Sequence, residues 1–282
     1  MLRLASLLAP EPIPEGIFEA GAEQVAAAAA AVAEELGRED GGVALRDALA
    51  ELADVSLAGR DGGELTVHRV VQEVVRSRIP EGRRRDWVVW ALGAVDAAAV
   101  GDPMDVRTWG VWDPLRPHAE RIARAADAEG IAEPTARLMN ELGRLLQYKG
   151  LFAAAEPLMR RALEIDEASF GPEHPKVAIG LNSLAELLRV TNRPGEAEPL
   201  MRRALKIDEA SFGPEHPKVG IRLGNLAKLH LARGEYDEAE RLVLRAIEIH
   251  VGSLGPDHPY VAAGRSILAG ILRARGDDVA DS

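Results

Sequence analysis

The sequence predicts a mainly α-helical protein in which stacked two-helix units follow a small N-terminal domain built around a β-hairpin. Three observations carry that expectation. A long segment of the C-terminal half returns at 42-residue spacing. Alanine, leucine and arginine abound while aromatics make up only 4%, a composition that favours close-packed helices over sheets. Two short runs flank Asp61-Gly62-Gly63, a pairing of turn residues and strand-like segments that signals a hairpin.

In chain order, an apolar stretch from Leu2 to Leu8 precedes Pro10, Pro12 and Pro14. An alanine-rich helix is expected near 19–36, broken at Asp40-Gly41-Gly42, and a further helix from Val43 to Leu52. The hairpin SLAGRDGGELTVH comes next. HRVVQEVVRSRI then closes the segment as an amphipathic helix of Val70, Val71, Val74, Val75 and Ile79. Helices, a hairpin and a final helix in that order read as a winged-helix domain over residues 1–80.

A helical connector is expected over 81–133. WVVWALGAVDAAAV reads as a buried helix ended by Gly101-Asp102-Pro103, and TWGVWDPLRPHAERIARAADAEGI opens the helical array. Trp87, Trp90, Trp109 and Trp112 are expected to wedge the winged helix against the first repeats, with a ligand pocket as the competing reading.

Residues 134–275 hold the repeat. AAAEPLMRRALEIDEASFGPEHPKV, ending at Val177, returns as GEAEPLMRRALKIDEASFGPEHPKV, ending at Val219, and as DEAERLVLRAIEIHVGSLGPDHPYV, ending at Val261. Each period holds two helical stripes. In the middle copy Val177, Leu181, Leu184, Leu187 and Leu188 form the first, and Ala197, Leu200, Met201, Ala204, Leu205 and Ile207 the second. Asn192-Arg193-Pro194-Gly195 separates them. Phe212-Gly213-Pro214 stops the second, and His216-Pro217 opens the next helix, proline being suited to a first helical position. Small residues recur at Gly143, Ala185 and Ala227, and at Ala155, Ala197 and Ala239, where paired helices approach. Such a pair buries its apolar face only by stacking on its neighbours. Three repeats (about 134–175, 176–217 and 218–259) and a closing helix at 260–275 are expected, with Arg265 marking a solvent-facing end and 276–282 a tail.

LNSLAELL…GEAEPLMRRALKIDEASFGPEHP resembles the tetratricopeptide repeat in its 42-residue, kinesin-light-chain-like form. The resemblance implies a right-handed α–α superhelix whose first helices line a concave, peptide-binding face. Carried over by position, Arg137, Asn140, Arg144 and Gln147 of the first repeat, Asn182, Glu186 and Arg189 of the second, and Lys228 of the third are candidate peptide-binding residues. Asparagine both donates to and accepts from a peptide backbone, and arginine offers a forked donor for carboxylates. The expectation is a groove with local positive charge. His174, His216 and His258 are one residue reused at 42-residue spacing, which suits a loop role beside the following proline better than a shared metal.

LTVHRVVQEVVR resembles the winged-helix end of NB-ARC-like signal-transduction NTPases with numerous domains (STAND), which often continue into tetratricopeptide repeats. The resemblance implies that His68 touches the β-phosphate of ADP held by a partner NTPase domain, although Arg69 replaces the usual aspartate. Taken alone, His68 reads as a helix-start or packing residue.

The sequence contains no G-x-x-x-x-G-K-[ST], cysteine nucleophile, H-E-x-x-H or G-x-S-x-G, so no catalytic residue, cofactor or metal is expected. A net charge of -11 disfavours nucleic acid. The segment ALRDALAELAD, where a recognition helix would lie, is acidic. No membrane span or signal peptide is evident, and a cytoplasmic location is expected. The functional expectation is a sensor or scaffold that captures a protein or peptide and relays it through the winged helix to an NTPase domain in cis or in trans. The alternative is a free-standing adaptor or the regulatory module of a DNA-binding transcription factor.

Overall fold

The computed structural model of the protein describes residues 1–35 and 58–276. The expected helix Val43–Leu52, the break before it and the candidate recognition helix lie outside the described residues. The chain forms two compact units, Met1–Leu158 and Met159–Ser282.

The first unit opens with α1 (Leu2–Leu7), a short strand β1 (Ile13–Pro14), α2 (Gly16–Ala20) and α3 (Ala22–Glu35). The strands β2 (Ala58–Asp61) and β3 (Glu64–Val67) form the expected hairpin, with Gly62 and Gly63 both at positive φ (57° and 84°) in its turn, as a two-residue primed turn requires. The sheet has a third strand beyond that hairpin. β1 lies on the other side of β3, antiparallel, with Ile13 opposite Leu65 and Pro14 opposite Glu64. Pro14 is tolerated because β1 is an edge strand. The expected helix near 19–36 divides at Gly21, where an added Cβ would lie 2.5 Å or less from the backbone and side chain of Ala94. Only glycine admits that approach.

Next come α4 (Arg69–Ser77) and α5 (Arg84–Ala98). The apolar stripe expected on α4 faces inward only in part: Ile79 is buried and Val71 and Val75 are half-buried. Val70 and Val74 are exposed while Gln72 is buried, because the Gln72 amide donates to the main-chain carbonyls of Ala5 (3.1 Å) and Ala9 (3.3 Å) beside the end of α1. A helix C-terminus leaves carbonyls without partners, and here a polar side chain serves them. The described residues thus show a small three-stranded sheet among helices.

The connector continues with α6 (Trp109–Ala128), and α7 (Thr135–Tyr148) begins the repeats, followed by α8 (Phe152–Phe170). Trp87 and Trp112 are fully buried. Trp109 donates from its indole nitrogen to the Pro103 carbonyl (3.1 Å) and stands edge-on to Tyr148 of α7, with Lys149 Nζ 3.8 Å from its ring centre. Trp87 and Trp112 are thus core, and Trp109 packs the connector against the first repeat helix. His118 of α6 is buried, its Nε2 3.0 Å from the Pro12 carbonyl, so Nε2 carries the proton.

In the second unit α9 (Pro175–Val190), α10 (Pro194–Phe212), α11 (Pro217–Ala232), α12 (Tyr236–Leu254) and α13 (Pro259–Arg275) alternate as first and second helices. Both predicted apolar stripes of the middle copy supply core: Val177, Leu181, Leu184, Leu187 and Leu188 from α9, and Ala197, Met201, Ala204 and Ile207 from α10, are buried. His174, His216 and His258 each cap the following helix, with Nδ1 accepting from the N–H two residues on at 3.2, 3.2 and 3.1 Å. Phe170 and Phe212 stack on the first two of these imidazoles. The breaks repeat as well. Gly150, Asn192, Gly234 and Gly276, one repeat position, all take positive φ, and so do Gly171, Gly213 and Gly255.

Neighbouring repeats are joined by ion pairs in register. Arg203 meets Glu167 (2.6 Å) and Arg245 meets Glu209 (3.0 Å). A second ladder joins Arg233 to Glu198 and Arg275 to Glu240. One repeat boundary also holds a buried pair, Arg222 of α11 donating from Nε to Asp208 of α10 at 2.8 Å. Among the described residues no helix is long and apolar enough to cross a membrane.

Candidate functional site

The candidate peptide-binding residues lie on the first helices of the repeats, in two groups. In the first unit α7 supplies Arg137, Asn140, Arg144 and Gln147. In the second, α9 supplies Asn182, Glu186 and Arg189, and α11 supplies Lys228.

On α7 the arginines are engaged. Arg137 makes a forked contact with Asp96 of α5 and also donates to that residue's carbonyl at 3.1 Å. Arg144 pairs with Glu141 (2.7 Å) and Asp102 (2.9 Å). Asn140 is buried at 7% exposure, so its amide is not displayed as expected. Among the described residues its Oδ1 has no partner. Gln147 is half-buried at the end of the helix. The helices of the connector explain the difference: α5 and the loop after it bring carboxylates to α7 that a repeat-by-repeat alignment does not foresee.

In the second unit the arrangement is open. Asn182 is half-buried, and its Oδ1 accepts from Asn225 Nδ2 at 2.9 Å across α9 and α11. Asn225 in turn accepts from Lys228 Nζ at 3.4 Å. One turn further along α9, Glu186 and Arg189 form a forked pair at 2.6 and 2.9 Å, which holds the Arg189 guanidinium above its ordinary pKa through that hydrogen bond. The row from Asn182 to Lys228 therefore combines amide donors and acceptors, one ammonium and a neutralised ion pair. The expected local positive charge is smaller than foreseen, because Arg137, Arg144 and Arg189 each face a carboxylate.

Asn225 is not among the sequence-derived candidates. By 42-residue spacing it falls on Ser183, one position from the asparagine row, and only the packing of α9 against α11 brings it to Asn182. Aligned sequence copies alone carry no signal for it; the cross-helix neighbour does.

His68 is exposed at the start of α4, its Nδ1 accepting from the Val70 N–H at 3.3 Å. This is the helix-start role, the same local geometry that His174, His216 and His258 adopt. Among the described residues no cluster of metal-ligating side chains occurs.

Comparison with known proteins agrees with this architecture. A tetratricopeptide repeat family matches residues 134–210, 193–250 and 221–279, more than half of the chain together. Residues 1–84 match a domain of unknown function (DUF7779). No curated protein matches the chain. Among solved structures, the nearly identical TPR-like repeats of a protein assigned as a kinesin light chain from Podosopora anserina align with a TM-score of 0.51 at 22% identity, covering 63% of this chain and 89% of that one. BtubC (BKLC) from P. vanneervenii aligns with a TM-score of 0.50 at 19% identity, covering 93% of this chain and 84% of that one. A STAND protein with a tetratricopeptide repeat sensor from Pyrococcus horikoshii aligns over 98% of this chain and 60% of its own, but with a TM-score of 0.30 and 14% identity. With its 42-residue helix pairs, its capped breaks and more than half its length matched, the chain belongs to the tetratricopeptide repeat family.

Proposed function

We propose that the protein is a non-catalytic scaffold that captures a protein or peptide on the first helices of its repeats, and that it serves as the sensor part of a STAND-type signalling system. The observation that carries the first half is the row Asn182–Asn225–Lys228 beside the Glu186–Arg189 pair. Rigid helices hold amide groups there that are half-open to solvent, and side-chain amides both donate to and accept from an extended main chain. The hydrogen bond between the two asparagines aims them without consuming them: the Asn182 NH2 has no partner among the described residues. Binding of this kind draws on preorganisation, since the helices lose little entropy on association.

The second half rests on the N-terminal resemblance of LTVHRVVQEVVR and on an aromatic connector that ties α6 to α7 through Trp109 and Tyr148. In this reading ligand on the repeats biases the N-terminal domain toward or away from a partner NTPase domain, with His68 as the residue facing nucleotide.

The test is a peptide-display selection against the full chain, followed by titration of the enriched peptides. The double variant Asn182→Ala with Arg189→Ala is expected to weaken them at least about tenfold, roughly 1.4 kcal/mol, with an unchanged thermal melt. Peptides that bind this folded double variant as tightly as the parent would remove the row from the binding face.

A further inference from the structure

The first unit contains a concavity of about 480 Å³ whose lining includes four arginines, Arg76, Arg84, Arg121 and Arg124, against two glutamates. This is unusual in a chain of net charge -11. We propose that this cavity binds a small anion bearing phosphate groups, a site separate from the repeat face.

The fold builds the site rather than leaving it to chance. Arg76 on α4 and Arg121 on α6 each donate from Nε to successive carbonyls at the end of α1, Ser6 at 2.9 Å and Leu7 at 3.2 Å. Anchoring Nε fixes the plane of each guanidinium; the terminal nitrogens of Arg121 stay available for another acceptor, while Arg76 also faces Glu73 through one of its own. Arg84 is balanced by Glu129 (3.0 Å), Arg76 by Glu73 (3.3 Å), and Arg124 by Glu120 (3.8 Å). Arg121 alone of the four has no carboxylate within 4.0 Å among the described residues. Burial and the neighbouring Arg76 charge push its guanidinium pKa down. A dianion would relieve both effects, because it restores the counter-charge and offsets the desolvation of a half-buried cation.

The volume falls in the range of small-molecule sites, and the other walls, Pro10, Pro117 and Ala125, are apolar. Forked guanidinium donors match phosphate geometry, which favours phosphate over a single carboxylate. Four arginines around one concavity are too few for a duplex, whose phosphates need a stripe of cations rather than a pocket.

The experiment titrates pyrophosphate, and separately citrate, into the full chain by calorimetry at low and moderate salt. Pyrophosphate is expected to bind, citrate to bind at least about tenfold more weakly, and Arg121→Gln to lower pyrophosphate affinity by about tenfold or more. Arg121→Lys keeps the charge but loses the fork and is expected to fall between. Because Arg121 also supports α1, the exposed Arg124→Gln serves as a second variant with little risk to folding, and a several-fold loss is expected. Absence of pyrophosphate binding, equal binding of citrate, or affinity unchanged in both glutamine variants would each overturn the proposal.

Discussion

His118 illustrates how a single side chain acquires a pH dependence from where it sits. Burial drives its pKa below the ordinary value of 6.5, and the hydrogen bond from Nε2 to the Pro12 carbonyl only partly opposes this. With a depressed folded pKa, the unfolded chain binds the proton more readily. Stability is then fully present above about pH 6.5 and is lost as pH falls from there toward the folded pKa, by at most about 1.4 kcal/mol per pH unit. Thermal melts at pH 7.5 and 5.5 are expected to show a larger drop for the parent than for His118→Gln; equal drops would mean that His118 does not titrate on unfolding. Gly213 poses a conformational problem instead. Its φ and ψ of 90° and 158° belong to a region almost reserved for glycine, and a Cβ added there would meet no atom within 4 Å. Gly213→Ala is expected to cost about 1–3 kcal/mol from backbone strain alone, measurable by urea denaturation. Such positions are legible in sequence because the break recurs. The pairing of Arg137 with Asp96 and of Arg144 with Asp102 is not: it depends on carboxylates contributed by the connector, and periodicity within one helix cannot report a neighbour distant in the chain.

Secondary elements succeed or fail as predictions according to how local their causes are. The repeat helices emerge from apolar spacing, a stop at glycine and a start at histidine–proline, all contained in a few residues. The edge strand β1 spans only Ile13–Pro14 and exists because β3 offers it hydrogen bonds, so no alternation could announce it. Two valines of α4, Val70 and Val74, are exposed on a helix that instead buries Gln72, which answers the demand of α1 for a polar partner. At the α10–α11 boundary, Asp208 and Arg222 are 1% and 8% exposed. Removing one partner strands a charge: Asp208→Ala is expected to cost about 3–5 kcal/mol. Replacing both, with Asp208→Leu and Arg222→Met, is expected to restore stability to within about 1 kcal/mol of the parent or to exceed it. Chemical denaturation of the three proteins decides, and a double variant no better than Asp208→Ala would show that the pair stabilises rather than merely compensates.

For the molecule as a whole, the acidic surface sets the interaction with other polyanions. A mobility-shift assay with duplex DNA at about 0.15 M salt, where screening acts over about 8 Å, is expected to show no stable complex; a retained band would make the N-terminal unit a DNA reader. The same screening bears on the two Arg–Glu ladders. Their members are partly exposed, so each pair contributes about 0–1 kcal/mol. The first ladder also changes character along the array. Val251 stands one period beyond Glu167 and Glu209, so the third copy presents an aliphatic side chain where the others hold a carboxylate. A duplication arising inside the array by unequal crossing-over would find its arginine matched. One appended after α13 would set guanidinium against valine. The register of this ladder is thus kept by a repeat inserted between existing ones and broken by one placed directly after α13.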